Sequence, residues 1–354
     1  VKKFFAAFGK RRAQRRKRRT AQTVARNTIL SRLCALRTTR IGLTLLAGLA
    51  ALALLADLLA SDLPLLMKYR GELYVLPNLT RPTRFQALDN HSLHKRFSAA
   101  DWALWPPVPY GPQQTQPGGR LDINAAPSRD HLLGTDPVGR DVAARLLHGS
   151  RPALAVGIAA MLMSVLLGFG LGSLAGYFGG WVDGVVSWAI AVTLTFPAFL
   201  LVLSLQGLSA IQTWWGLALL LGAVGWAPVA RLVRGEVQKA AAAPFALAAR
   251  AAGASHLRIL TRHTMIHATG PVIVMAAFGV GWAILMESAL SFLGVGPATA
   301  SWGGVLADGR LYPESWWITL AGGTCIFVTV LAFNLLAEGL RRALDPKAAA
   351  YPRT

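Results

Sequence analysis

The sequence predicts an all-α, polytopic membrane protein with about six transmembrane helices, and two observations carry that expectation. Of 354 residues, 54% are hydrophobic and only 15% charged, with a mean hydropathy of +0.44, a balance that soluble domains of this size rarely reach. The apolar residues also gather into runs without Lys or Arg, close to the roughly 20 residues a helix needs to cross the hydrocarbon core.

The first run, "IGLTLLAGLAALALLADLLA", covers 41–60, and "PALAVGIAAMLMSVLLGFGLGSLAG" (152–176) and "GVVSWAIAVTLTFPAFLLVLSL" (184–205) follow. The remaining three are "TWWGLALLLGAVGWAPVA" (213–230), "PVIVMAAFGVGWAILMESALSF" (271–292) and "SWWITLAGGTCIFVTVLAFNLLAEG" (315–339). Pro197 and Pro228 interrupt the third and fourth runs, as kinks lining a pathway or as packing adaptations. Residues 152–339 thus form a five-helix core behind one N-terminal span.

Charge sets the expected orientation. Of 36 Lys and Arg, 14 precede residue 41, and the formal net charge is +20. The basic arm 1–40 suits a topological anchor or anionic-lipid contact, and with a span following directly this reading outweighs nucleic-acid binding. An apolar run that begins some 40 residues in, with no small-residue cleavage pattern close behind, argues against a cleaved signal peptide. With the arm in the cytoplasm, six spans return the tail 340–354 to the same side. The loop 231–270, bearing Arg231, Arg234, Lys239, Arg250, Arg258 and Arg262, and the tail residues Arg341, Arg342 and Lys347 then lie inside, as the excess of positive charge requires. Residues 61–151 become a long extracytoplasmic segment, and "WPPVPYGPQQTQPGG" within it points to partly ordered irregular structure. Cys34 and Cys325 sit beside or within spans and suggest no disulfide framework.

The stretch "AARAAGASHLRILTRH" reads as helix, tight turn, helix. Pro244 suits a first helical turn, Ala246 to Ala252 are mostly strong helix formers, and Gly253 suits the left-handed residue that ends a helix. Ser255 is placed to cap a second helix running to about His267. His263 and His267 share ligand spacing, but without a nearby Cys or carboxylate partner a solvated basic face explains them better than a metal site.

This stretch is similar to the cytoplasmic coupling loop of permease subunits in binding-protein-dependent ABC importers, at Ala248, Ala249, Arg250, Ala251, Gly253, Ala254, Ser255, Arg258, Arg262 and His263. It departs at Leu247, where an acidic or polar residue is common, and at Ile266, where proline is usual. "LLGTDPVGRDVAARLLHGSRPAL" resembles a segment of the family's peptide and nickel branch through Gly134, Thr135, Asp136, Gly139, Arg140 and Asp141. "ESALSFLGVG" (Glu287 to Gly296), "SWGGVL" and "LDPK" extend the likeness over roughly 130–347. "DLPLLMKYRGELYVLP" and "WALWPPVPYGP" resemble the permease of microcin C and oligopeptide importers.

The resemblance implies a type I ABC importer permease fold in the bacterial inner membrane. It also implies a second permease completing a heterodimeric pathway, an extracytoplasmic solute-binding protein, and ATPase subunits docking on the coupling loop. ATP and Mg would belong to those ATPase subunits, because this chain has no phosphate-binding G-x-x-x-x-G-K-[ST] loop and is expected to bind no cofactor itself. Nucleic acid is not an expected partner, and no H-E-x-x-H or G-x-S-x-G pattern suggests an enzyme. An ion-coupled secondary transporter is the alternative. Asp57 at a span edge reads as an interface residue, while Glu287 within the family-like motif is a candidate for gating or packing. No residue is singled out as substrate-binding.

Overall fold

The structure, a computed structural model, describes residue 33 and residues 36–344, apart from 86, 87, 89, 99, 116–122, 209–212 and 298. Most of the basic arm, Cys34 and the tail residues beyond 344, Lys347 among them, fall outside the described residues.

The chain is built of long apolar helices: α1 (Arg37–Leu54), α2 (Val142–Phe178), α3 (Gly180–Thr195), α4 (Ala198–Leu208), α5 (Trp214–Ala241), α6 (Pro244–Ala251), α7 (His256–Phe292), α8 (Trp302–Leu311) and α9 (Trp316–Leu344). Five of them, α1, α2, α5, α7 and α9, are long and apolar enough to cross a membrane, and a sixth crossing exists if the bent pair α3 and α4 counts as one span.

The third expected span is therefore not one continuous helix but two, broken at Pro197. The α3 and α4 axes differ by 85°. Phe196, the residue before Pro197, is extended (φ −83°, ψ 133°), because the proline ring clashes with a helical conformation at the preceding position. Pro228 behaves differently and lies inside an unbroken α5.

Close packing of α2 on α5 depends on glycine. Gly168, Gly172 and Gly176 recur every four residues and so share one face of α2. A Cβ on Gly172 would sit 2.5 Å from the Ala230 carbonyl oxygen, and one on Gly176 2.5 Å from that of Arg234. In a bilayer, where lipid is as apolar as leucine, small residues that let two backbones approach supply the attraction. Gly42 of α1 plays the same part against the backbone of Ala332 and Leu336 in α9. Val229, Val233, Val280, Ile284 and Ile318 are buried in the shared interior.

Leu232, Gly270, Pro271, Arg341 and Leu344 line one cavity, so the C-terminal end of α9 lies beside the C-terminal half of α5 and the first half of α7. Thr39 of α1 packs on Gly339 of α9, which brings the first helix's beginning there too.

The segment between α1 and α2 is more ordered than its prolines suggested. Strands β1 (Leu66–Tyr69), β2 (Glu72–Val75) and β3 (Trp102–Leu104) form an antiparallel sheet in the order β2-β1-β3. One face rests on a small aromatic core of Met67, Tyr69, Phe85 and Leu93, with Tyr74, Phe97 and Trp105 around it. The prolines of "WPPVPYGP" follow the last strand rather than interrupt it.

Candidate coupling surface and its counterpart at the far end

Helix α6 starts as its sequence dictates, with Pro244 in the first turn after an extended Ala243. It stops in a Schellman turn: Ala254 N–H donates to the Ala249 carbonyl at 3.1 Å and Gly253 N–H to that of Arg250 at 3.0 Å. Gly253 has φ +76° and open space around a would-be Cβ, so backbone conformation alone asks for glycine there. Ser255 stands at the N-cap of the next helix, but its side chain makes no capping hydrogen bond.

The second helix does not end near His267. It runs on through one wide π-helical turn, Leu260–Thr264, into the fifth apolar run, giving α7 a length of 37 residues. Met265 N–H closes that turn on the Leu260 carbonyl, to which the Thr264 hydroxyl also donates at 2.9 Å. Pro271, read in the sequence as a span's beginning, lies inside this helix; its missing N–H removes one bond without ending the rod.

The segment is anchored on one side and open on the other. Ala246, Ile259, Leu260 and Thr264 are buried, Ala249 and Ala254 pack against the same core, and the His256 Nδ1 and Tyr177 hydroxyl lie 3.0 Å apart, tying α7 to the end of α2. Facing outward are Ala248, Arg250, Ala251, Gly253, Ser255, Arg258 and Arg262, together with Phe245, Leu247 and Leu257, the last 70% exposed. His263 is half-buried, and His267 rests against the Phe245 ring at 5.1 Å between centroids. The open face therefore joins small residues, exposed apolar side chains and guanidinium groups. Beside it, Arg234 of α5 grips Asp183 of α3 through both carboxylate oxygens, with Nη2 at 2.7 Å.

At the bundle's other end, the family-like segment before α2 forms a buried ionic clasp. Asp136 is fully buried and accepts from the backbone N–H of Val138 (2.8 Å) and Arg140 (2.9 Å) and from Arg140 Nε (2.7 Å). It also takes Arg145 Nη1 at 2.5 Å, and the same nitrogen reaches Asp308 of α8. Asp141 caps α2 by accepting from Ala144 N–H at 2.8 Å, while its second oxygen lies 2.8 Å from His131 Nδ1. Thr135 pairs with Ala125 through both N–H and hydroxyl. Gly134 and Gly139 have φ of +70° and +81°, and at Gly134 a side chain would also collide with the Ala125 carbonyl. These six positions do one job: they fix where α2 begins and bind it to α8, with the buried charges paired.

The two motifs are not brought together. Glu287 belongs to neither; it is buried in α7 and accepts from the Ser291 hydroxyl at 2.8 Å and the Ser288 hydroxyl at 3.2 Å. A cavity of about 280 Å³ opens beside the α3 and α4 break, lined by Ser164, Thr193, Phe196, Gly225, Pro228 and Trp282 among others. Sequence reasoning missed Tyr177, His131, Arg145 and Asp308. Tyr177 meets His256 and Arg145 meets Asp308 only across long stretches of chain, and His131 and Arg145 reach Asp141 and Asp136 at spacings that follow no helix or strand period, whereas the four-residue glycine spacing of α2 was there to be read.

Comparison with known proteins gives this architecture its context. Residues 168–350 match the family model described as "Binding-protein-dependent transport system inner membrane component". The dipeptide transport system permease protein DppC of Alkalihalophilus pseudofirmus is 38% identical over 240 residues, covering 66% of this chain and 77% of that one. The glutathione transport system permease protein GsiD of Pectobacterium atrosepticum is 36% identical over 234 residues, covering 64% and 75%. Members of this family are multi-pass transport components of the inner membrane and not enzymes, which sets the ion-coupled alternative aside. With its helical bundle, its apolar spans and a match over half its length, the chain belongs to the binding-protein-dependent inner-membrane permeases of ABC importers, in their peptide and nickel branch.

Proposed function

We propose that this permease forms one half of a heterodimeric pathway for short peptides or peptide-like solutes of the dipeptide, oligopeptide or microcin C type. A solute-binding protein delivers the solute on one side, and ATPase subunits carrying ATP and Mg dock on the other. The α6 to α7 segment is the docking surface, and both chain termini share its cytoplasmic side. Gly134 to Asp141 hold the opposite end of α2, and Glu287 packs within α7.

The observation that carries this reading is the exposed apolar face of Phe245, Leu247 and Leu257 around Ala248 and Ala251, on a loop whose other side is held by Ile259, Leu260 and Tyr177. A rigid, partly apolar helix with small residues fits a groove on a partner. The solute class rests on the dipeptide and glutathione permeases above. The side shared by the termini rests on the basic residues of the segment and of the end of α9.

Ala248 and Ala251 face outward while Ala249 packs inward, so Ala248→Glu and Ala251→Glu test docking without disturbing the loop's own core. The expected result is normal membrane insertion with loss of co-purifying ATPase subunits and of ATP-dependent peptide uptake. Retention of both by both variants would remove the docking assignment.

A further inference from the structure

The small sheet between α1 and α2 has a second face that none of the described residues covers. Its two cross-strand rows are Val75, Leu66, Leu104 and Leu73, Lys68, Trp102. Leu73 is 61% and Val75 62% exposed, and Trp102 and Leu104 are exposed as well. Alternation along a strand puts polar residues on a solvated face, yet here five of six side chains are apolar. The sixth, Lys68, is exposed and makes no ion pair among the described residues, whereas neighbouring Arg81 and Arg84 pair with Asp62 and Glu72.

The position of this face identifies its occupant. The Asn78 side chain donates to the Asp57 carbonyl at 2.7 Å, in the turn that directly follows α1. Val75 is thereby held within ~11 Å of chain from that contact, since three residues extend no further. Exposed Leu54 and Leu55 at the end of α1, then Leu76 and Leu79, connect the lipid-facing flank of the first span to the sheet. We propose that the Leu73, Val75, Trp102 and Leu104 face lies in the interfacial layer of the bilayer beside the end of α1, with Lys68 reaching an anionic lipid phosphate.

The chemistry suits that layer. Leu and Val enter the headgroup and acyl boundary, Trp is favoured at that depth, and a lysine stem crosses apolar surface while its ammonium stays with the phosphates. The sheet then fixes how the segment stands on the membrane, independently of which solute passes.

The test uses the chain in its complex, reconstituted in vesicles, with Cys34 and Cys325 replaced by serine. Nitroxide labels at Leu73→Cys and Leu104→Cys are compared with one at Arg129→Cys, an exposed position of the same segment. The expected result is relaxation by oxygen at 73 and 104, and by a water-soluble nickel chelate at 129. Access of the nickel chelate to 73 and 104 would overturn the proposal, and so would protection from both relaxers, which would mean a protein partner covers the face. Lys68→Gln is expected to lower the docked population about fivefold in phosphatidylglycerol vesicles, the worth of one surface cation, and to leave it unchanged in phosphatidylcholine. An unchanged population in phosphatidylglycerol would refute the phosphate contact.

Discussion

Replacing Gly172 by alanine tests the helix seam on which the bundle rests. The new Cβ would stand 2.5 Å from the Ala230 carbonyl oxygen and 3.0 Å from both Ala230 Cα and Val233 Cβ, where ordinary contact begins at 3.4 Å. The obstacle is backbone, so α2 and α5 must separate by about 0.9 Å at this point, and overpacking of that kind costs ~1–3 kcal/mol. Gly170, two residues away, points outward with nothing within 4 Å of its would-be Cβ. Gly170→Ala therefore collects the helix-propensity gain of roughly 1 kcal/mol without a clash, and comparing the two variants cancels that shared gain. Thermal unfolding of the purified complex in detergent reads the difference. The Gly172 variant should melt several degrees below the Gly170 variant and below the parent. If Gly172→Ala melts with Gly170→Ala or above it, close glycine packing is not what joins these helices.

Two further outcomes are expected. Gly253→Ala introduces no clash but forces alanine to φ +76°, at a cost of ~1–2 kcal/mol; Gly253→Asn, which tolerates that conformation, should keep more ATPase co-purification and uptake, and equal loss in both would contradict the conformational account. Arg145→Met strips one of two cations from between buried Asp136 and half-buried Asp308, leaving Arg140 to both, which should destabilise the clasp by ~1–3 kcal/mol, seen as faster protease nicking of residues 123–141 and partly reversed by adding Asp136→Asn; an unchanged nicking rate would show that the ion pair contributes little.

Much of the bundle was legible because its physics is local. Twenty apolar residues without Lys or Arg can do little but span, and Pro244 followed by alanines and Gly253 encode a helix with its stop. The 85° break was half legible: Pro197 marked the place, but whether a proline breaks a helix is decided by its neighbours, as Pro228 within unbroken α5 demonstrates. Pro271 misled for the same reason, since a proline that can open a helix can also be carried inside one. The sheet went unseen because its strands are only three or four residues long, and β3 joins β1 from more than thirty residues away. Within the candidate sites, the motif residues before α2 were found by resemblance. Their partners were not: Asp308 lies 163 positions from Arg145, and the spacings from His131 to Asp141 and from Asp136 to Arg145 follow no helix or strand period.

The fusion of the coupling segment with the following span makes α7 a lever. At 1.5 Å per residue its 37 residues measure ~55 Å, so a 10° tilt about the middle carries each end ~5 Å in opposite directions. Under the docking proposed above, a displacement at His256 is carried along α7 toward the far end, where the Ser288 backbone lies against Gly303 of α8. Arg145 and Asp308 fasten α8 to α2 in turn, so α7, α8 and the start of α2 are members of one linkage.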